Sequence, residues 1–274
     1  SDAVVEINPR EGEHALRTED IVAKINEVGE ECALVFFSGV QYYTGQAFNI
    51  KALTEAAHSV GAYAGFDCAH AAGNINMELH DWNVDFAAWC HYKYINSGPG
   101  ATAGYFVHER HHDDANIPRF EGWWGHDKAT RFEMPETFIP IPTAEAWQLS
   151  NAPVMAMAPL RASLDLFDRA GAENLRAKSR KLTAYLQEVL EEVAHASGSD
   201  FEIITPKDER GAQISLLVHG YGRPLFDYLM KEGVIADWRE PNVIRMAPVP
   251  LYNNFEDIRA FGAILLNYLN EQGA

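Results

Sequence analysis

The strongest constraint on this chain comes from apolar, strand-length runs that each end at a chemically capable side chain. Ala62-Tyr63-Ala64-Gly65-Phe66 ends at Asp67, and Val84-Asp85-Phe86-Ala87-Ala88-Trp89 ends just before Tyr92-Lys93, which places Lys93 26 residues beyond Asp67. An earlier run, Ala33-Leu34-Val35-Phe36-Phe37, reads as a buried strand ending at Ser38-Gly39. A helix is predicted from Thr18 to Val28, with Thr18 as its N-cap and an acidic first turn, and another from Ile50 to Val60, stopped by Gly61. Ala103 to Val107 reads as a further strand. Strands alternating with helices imply right-handed crossovers and a mostly parallel sheet. Such sheets place ligands beyond the carboxyl ends of their strands, where Ser38, Asp67 and Lys93 all fall.

The rest of the chain reads differently. Residues 108–141 are rich in His, Asp, Arg, Trp and Pro with little periodicity, and are predicted to form long functional loops. His108, His111 and His112 lie close together there, and an exposed polar loop is favoured over a metal site, which needs further ligands in fixed geometry. Helical patterns over 152–170 and 172–196 precede strands at 201–205 and 213–218. A helix at 224–232, strands at 234–238 and 243–247, and a helix at 255–270 complete an α+β unit. The predicted organisation is an α/β large-domain portion over 1–150 and a small C-terminal domain over 151–274, divided near Asn151.

A net charge of −17 argues against a nucleic-acid surface, which needs a basic stripe. No apolar run approaches the roughly 20 residues of a membrane helix, and the first residues show no signal-peptide pattern. Cys32, Cys68 and Cys90 lie in or beside apolar runs and form no CxxC pair, so they read as small buried hydrophobes of a reducing, cytoplasmic protein.

The Asp67 and Lys93 layout suits pyridoxal phosphate, a cofactor that takes a lysine amine on its aldehyde and a carboxylate at its ring nitrogen. Lys93 lies between Tyr92 and Tyr94, and an apolar setting can convert a surface amine into a Schiff-base nucleophile. Asp67 would keep the pyridine nitrogen protonated; its structural alternative is an N-cap for residues 68–74. His70 lies three residues on, near Asp67 or against the cofactor ring, or else is a satisfied structural histidine. Ser38 and Tyr92 carry hydroxyls suited to phosphate contact or proton relay, although Ser38 equally suits a cap. Asn96-Ser97-Gly98-Pro99-Gly100 resembles a phosphate nest, but turn chemistry alone accounts for it. Arg245, between apolar residues, suits a bidentate clamp on a substrate α-carboxylate, with a structural ion pair as the alternative.

Longer motifs narrow the reading. Ser38-Gly39-Val40-Gln41-Tyr42-Tyr43-Thr44-Gly45-Gln46, Phe66-Asp67-Cys68-Ala69-His70-Ala71, His80-Asp81-Trp82, Tyr92-Lys93-Tyr94, Gly122-Trp123-Trp124-Gly125-His126, Leu149-Ser150-Asn151 and Arg245-Met246-Ala247-Pro248-Val249-Pro250-Leu251-Tyr252-Asn253 together resemble the kynureninase family. The resemblance runs almost end to end and implies a fold-type I pyridoxal phosphate enzyme. Such an enzyme hydrolyses L-kynurenine or its 3-hydroxy form to anthranilate or 3-hydroxyanthranilate and L-alanine in tryptophan catabolism. By the same resemblance Lys93 bonds the cofactor and moves protons, Asp67 pairs its ring nitrogen with His70 beside it, and Ser38 and Tyr92 belong to the cofactor site. Trp123 and Asn151 match cofactor-site positions supplied across a dimer interface, and Arg245 matches the carboxylate clamp. The family's chain begins far upstream, and that stretch supplies most of the phosphate contacts. The expectation is therefore one piece of a cleaved, split or two-chain enzyme, completed by a second polypeptide and working as a homodimer or a dimer of two-chain units. Two readings compete. A cysteine desulfurase or selenocysteine lyase shares the layout but needs a late cysteine, and none follows Cys90. A non-catalytic assembly partner would retain the site residues without turnover.

Overall fold

The computed structural model describes residues 3–114 and 116–273. Its first half is built on α1 (Thr18–Val28), β1 (Leu34–Ser38), α2 (Ile50–Ser59), β2 (Tyr63–Asp67), β3 (Phe86–Cys90) and β4 (Ala103–Val107). The strands lie in the order β1-β2-β3-β4, with β1, β2 and β3 parallel and β4 antiparallel to β3. The expected mostly parallel sheet is present. Its register places Ser38 directly beside Asp67.

Alternation decides which face is covered. Val35, Ala64, Phe66 and Ala87 point to one face, where Ile21 and Ile25 of α1 and Leu53 and Ala57 of α2 bury them. Full burial of a ring such as Phe66 contributes about 2–3 kcal/mol. The opposite face has no helix over it among the described residues: Leu34, Phe36 and Tyr63 are 46%, 58% and 51% exposed. This corrects the expectation of a buried strand at 33–37, because both helices of this half pack on one side. Gly65 lies on the open face, where the Phe86 ring fills the space a side chain would take; a Cβ there would come within 2.2 Å of the ring. The start of α1 also differs from expectation. Thr18 is the first helical residue, and Arg17 stands at the N-cap with no side-chain capping bond.

The second half comprises α3 (Val154–Ala170), α4 (Ala172–Ser197), β5 (Phe201–Ile203), β6 (Ile214–Val218), α5 (Gly222–Lys231), β7 (Asp237–Arg239), β8 (Val243–Met246) and α6 (Phe255–Gly273). Its sheet is antiparallel throughout, in the order β5-β6-β8-β7. Leu182, Leu186, Leu190 and Val193 form the apolar stripe of α4 and meet Ile258, Phe261 and Leu265 of α6 over this sheet. Strand β7 starts three residues later than the predicted 234–238.

Polar side chains join the halves. Gln46 donates to the Leu16 carbonyl at 2.6 Å and to Glu209 at 2.9 Å. Ser215 donates to the Tyr43 carbonyl at 2.6 Å, and the Ala212 N–H donates to Asn74 at 2.8 Å. These bonds tie the segments after β1 and β2 to β6 and to the loop that precedes it.

The loops over 108–141 contain three short 3-10 turns rather than regular elements. The histidines are less exposed than expected. His108 is buried and stacks on His80, with ring centroids 4.9 Å apart, and His111 reaches the buried Asp85 at 2.6 Å. Asp85 also accepts from the Ala64 N–H at 2.7 Å, from His58 at 2.9 Å and from Arg110 at 2.5 Å. Burial alone would raise this carboxyl, but the Ala64 N–H, Arg110, His58 and His111 outweigh it and hold it at about 2.

Candidate active site

The carboxyl ends of β1, β2 and β3 open into a cavity of about 700 Å3 that the second sheet closes from the other side. Ser38, Asp67, His70, Tyr92, Lys93 and Arg245 all line it, so six of the eight residues proposed from sequence converge there.

Local geometry sets each one. Asp67 ends β2, and its Oδ1 accepts the Ala69 N–H at 2.8 Å, the capping contact considered above; the cap holds the carboxylate in place without removing it from the cavity. Residues 68–74 form tight turns rather than a helix, with the N–H groups of both Ala71 and Ala72 donating to the Cys68 carbonyl at 2.9 Å. Gly73 sits in this turn at φ +77°, and a Cβ there would come within 2.8 Å of the Tyr94 carbonyl oxygen. The loop carrying His70 therefore presses against the loop carrying Lys93.

Lys93 opens its own turn, in which the Asn96 N–H donates to the Lys93 carbonyl at 2.9 Å while Asn96 adopts φ 59°. The Asn96 side chain donates to the Tyr94 carbonyl at 2.8 Å, and Ser163 of α3 donates to the Ile95 carbonyl. The Lys93 ammonium lies 5.7 Å from the centre of the Tyr92 ring. Glycines at 98 and 100 with positive φ make the following segment a turn, as its composition implied.

Electrostatics differ from group to group. Burial, then the positive charges of Lys93 and Arg245, push the His70 imidazole down to about 4, so it is neutral at physiological pH. Burial pushes the Tyr94 phenol up to about 12 and the Cys68 thiol up to about 12, which leaves Cys68 an inert core residue. Cys90 raises the Tyr92 phenol, so Tyr92 holds its proton at neutral pH. Arg245 projects from β8, donating to the Tyr42 carbonyl at 2.5 Å and to Asp237 on β7.

Trp123 and Asn151 do not line this cavity. Trp123 packs against Trp124, Phe132 and Arg131, whose guanidinium is 4.5 Å from the Trp124 ring; Asn151 is exposed and accepts from Ser150 at 3.2 Å. The cavity has walls that sequence reading missed: Tyr94, Gln213, Asp237, Arg239 and Tyr252. Asp237 and Arg239 flank a tryptophan in a three-residue strand, and only the pairing of β7 with β8 shows that they face Arg245.

Residues 175–265 match the kynureninase C-terminal domain. Over 266 residues, 96% of this chain, the sequence is 59% identical to the kynureninase of Flavobacterium psychrophilum. Over 272 residues, 98% of the chain, it is 52% identical to that of Myxococcus xanthus.

The chain is similar to kynureninases along almost its whole length.

It spans about 63% of the length of these two kynureninases. Solved structures place the fold more broadly. A cysteine desulfurase from Thermococcus onnurineus NA1 superposes with a TM-score of 0.75 at 18% identity, covering 94% of this chain and 64% of its own. An alanine–glyoxylate aminotransferase from a Nostoc species superposes with a TM-score of 0.67 at 17% identity, covering 93% of this chain and 66% of its own. At such identities the likeness carries the fold alone, which is the fold-type I architecture expected of the family. No helix among the described residues is long and apolar enough to cross a membrane.

Proposed function

We propose that the protein containing this chain is a kynureninase, which uses pyridoxal phosphate and water to cleave L-kynurenine, or its 3-hydroxy form, into anthranilate or its 3-hydroxy form and L-alanine. The observation that carries this reading is the convergence of Lys93, Asp67, His70 and Arg245 on one cavity, a donor set that fits the cofactor. When bound, the cofactor supplies an electron sink for the carbanion at the substrate α-carbon. Lys93 would hold the cofactor through its aldehyde, and its amine is placed in the cavity to move a proton at the substrate α-carbon. Asp67 would hold the ring nitrogen in its protonated form, and His70, neutral at physiological pH, would add no second charge to that part of the cavity. Tyr92 keeps its proton at neutral pH and suits phosphate contact and proton donation to the product. Ser38, in register with Asp67, belongs to the same cofactor wall. Arg245 fixes the α-carboxylate.

The further length found in the relatives, in covalent continuity or as a second polypeptide, covers the open sheet face around Leu34, Phe36 and Tyr63. The assembly is a homodimer or a dimer of two-chain units, with Trp123 and Asn151 reaching the neighbouring copy's cavity. The chain divides into functional units at 1–150 and 151–274, and three free cysteines suit work in the cytoplasm. The test uses the full-length protein with pyridoxal phosphate. Anthranilate fluorescence should appear on adding kynurenine, and Lys93→Ala should abolish both the visible absorption of the bound cofactor and turnover. Full turnover by Lys93→Ala would overturn the assignment. A folded, cofactor-loaded wild type without turnover would favour a non-catalytic assembly role.

A further inference from the structure

We propose that Asp237 is an internal stand-in for the ligand carboxylate: it holds the Arg245 guanidinium until a carboxylate ligand arrives and then shifts fully onto Arg239. This rests on the reading of Arg245 as a carboxylate clamp and names how that clamp opens.

Both terminal nitrogens of the guanidinium are already engaged. One terminal nitrogen donates to the Tyr42 carbonyl at 2.5 Å, the other donates to Asp237 Oδ2, and the buried Nε has no partner among the described residues. A bidentate carboxylate needs two parallel N–H groups on one edge. Within the described structure one terminal nitrogen is held by an acid of the protein itself, so a ligand acid meets a negatively charged competitor there.

The same structure provides an exit. Arg239 lies 3.1 Å from the same Asp237 oxygen, so the aspartate already bridges two arginines. The Arg245 side chain is 11% exposed, whereas those of Asp237 and Arg239 are 43% and 44% exposed. The buried partner is therefore fixed, and the two at the mouth are free to move. Asp237 keeps one positive partner when it lets go of Arg245, so the exchange strands no charge. Asp237 and Arg245 are directly paired across β7 and β8, with Arg239 two residues along β7 on the same face. Strand β7 has three residues and forms the sheet edge, which permits a small shift without breaking an inner ladder.

The proposal gives opposite signs for two substitutions. Removing the competitor with Asp237→Asn should tighten carboxylate binding roughly tenfold, within the range of ordinary coupling between sites. Removing the landing place with Arg239→Gln should weaken it several-fold, because Asp237 then has only Arg245. The probes are propionate and propionamide, which lack an amine and do not engage the cofactor aldehyde. Their binding is measured by saturation-transfer NMR on the full-length protein loaded with pyridoxal phosphate. Only propionate should respond to either substitution. If Asp237→Asn weakens propionate as much as Arg245→Lys does, or leaves it unchanged, Asp237 merely orients the arginine or is a bystander. Should Asp237→Asn fail to fold, Arg239→Gln decides alone, and unchanged propionate affinity there overturns the exchange. Anthranilate release is scored separately, so a wild type without kynurenine turnover sinks the kynureninase reading while the propionate contrast still judges Asp237.

Discussion

Individual side chains of the cavity carry distinct charge states, and these give its sharpest expectations. His70 is held at about 4 against an ordinary 6.5, so the unfolded chain binds its proton more readily than the folded one between those values. In the cofactor-free protein the His70 contribution therefore makes stability fall as pH drops from about 6.5 to about 4. Partial exposure reduces the effect to roughly 1–2 kcal/mol. His70→Gln should flatten that part of the denaturant-midpoint profile against pH; a profile identical to wild type would mean that the imidazole is not held neutral. Arg245→Gln removes a charged donor from a desolvated site, so kcat/KM for kynurenine should fall by roughly 10²-fold or more, since such contacts contribute about 2–5 kcal/mol. The loss should appear mainly in KM if Arg245 binds the ground-state carboxylate as firmly as the transition state.

Turns and loops, more than the strands, set the geometry at the next scale. The turn after β2 and the turn after Lys93 meet at Gly73, where positive φ and the Tyr94 carbonyl both exclude a side chain. Gly73→Ala should cost about 1–3 kcal/mol from backbone strain and lower cofactor affinity in an absorbance titration. A variant with wild-type stability and affinity would show that the two loops are not mutually braced. At the far end of β3 the buried Asp85 ties α2, β2 and the loop after β4 together through His58, Ala64 and Arg110. Its carboxyl is held at about 2 against 3.8, so its contribution is present above pH 4 and is lost as pH falls towards 2. Asp85→Asn should destabilise the protein by about 2–4 kcal/mol in urea unfolding at pH 7, since it leaves Arg110 without its buried partner.

Across the whole molecule, the two sheets enclose the cavity while one face of the first sheet stays open. Leu34, Phe36 and Tyr63 expose a contiguous apolar surface, of the kind that marks an interaction face. This chain on its own should bind a hydrophobic fluorescent dye, and Phe36→Ser should reduce that signal. Adding the segment that relatives carry in their further length should displace the dye from the wild-type chain. Dye binding unaffected by both changes would place the exposed apolar surface elsewhere.

The sequence by itself determined the strands that end at Ser38, at Asp67 and shortly before Lys93, the helices that precede the first two of them, and the choice of six candidate residues that meet in the cavity. Strand and helix periodicity, together with the rule that such sheets bind ligands at their carboxyl ends, suffices for Ser38, Asp67 and Lys93, whereas the place of Arg245 in the same site was implied by the family resemblance. The β7 boundary was misplaced because Val234 to Ala236 has strand composition but finds no partner strand. The open sheet face was also misread, because an apolar run looks the same whether one face or both are covered. Asp85, Asp237 and Arg239 escaped notice because ordinary acids and arginines acquire a role only through what lies opposite them. Only the tertiary structure decided which acid faces which arginine, since strand register depends on contacts between residues distant in the chain.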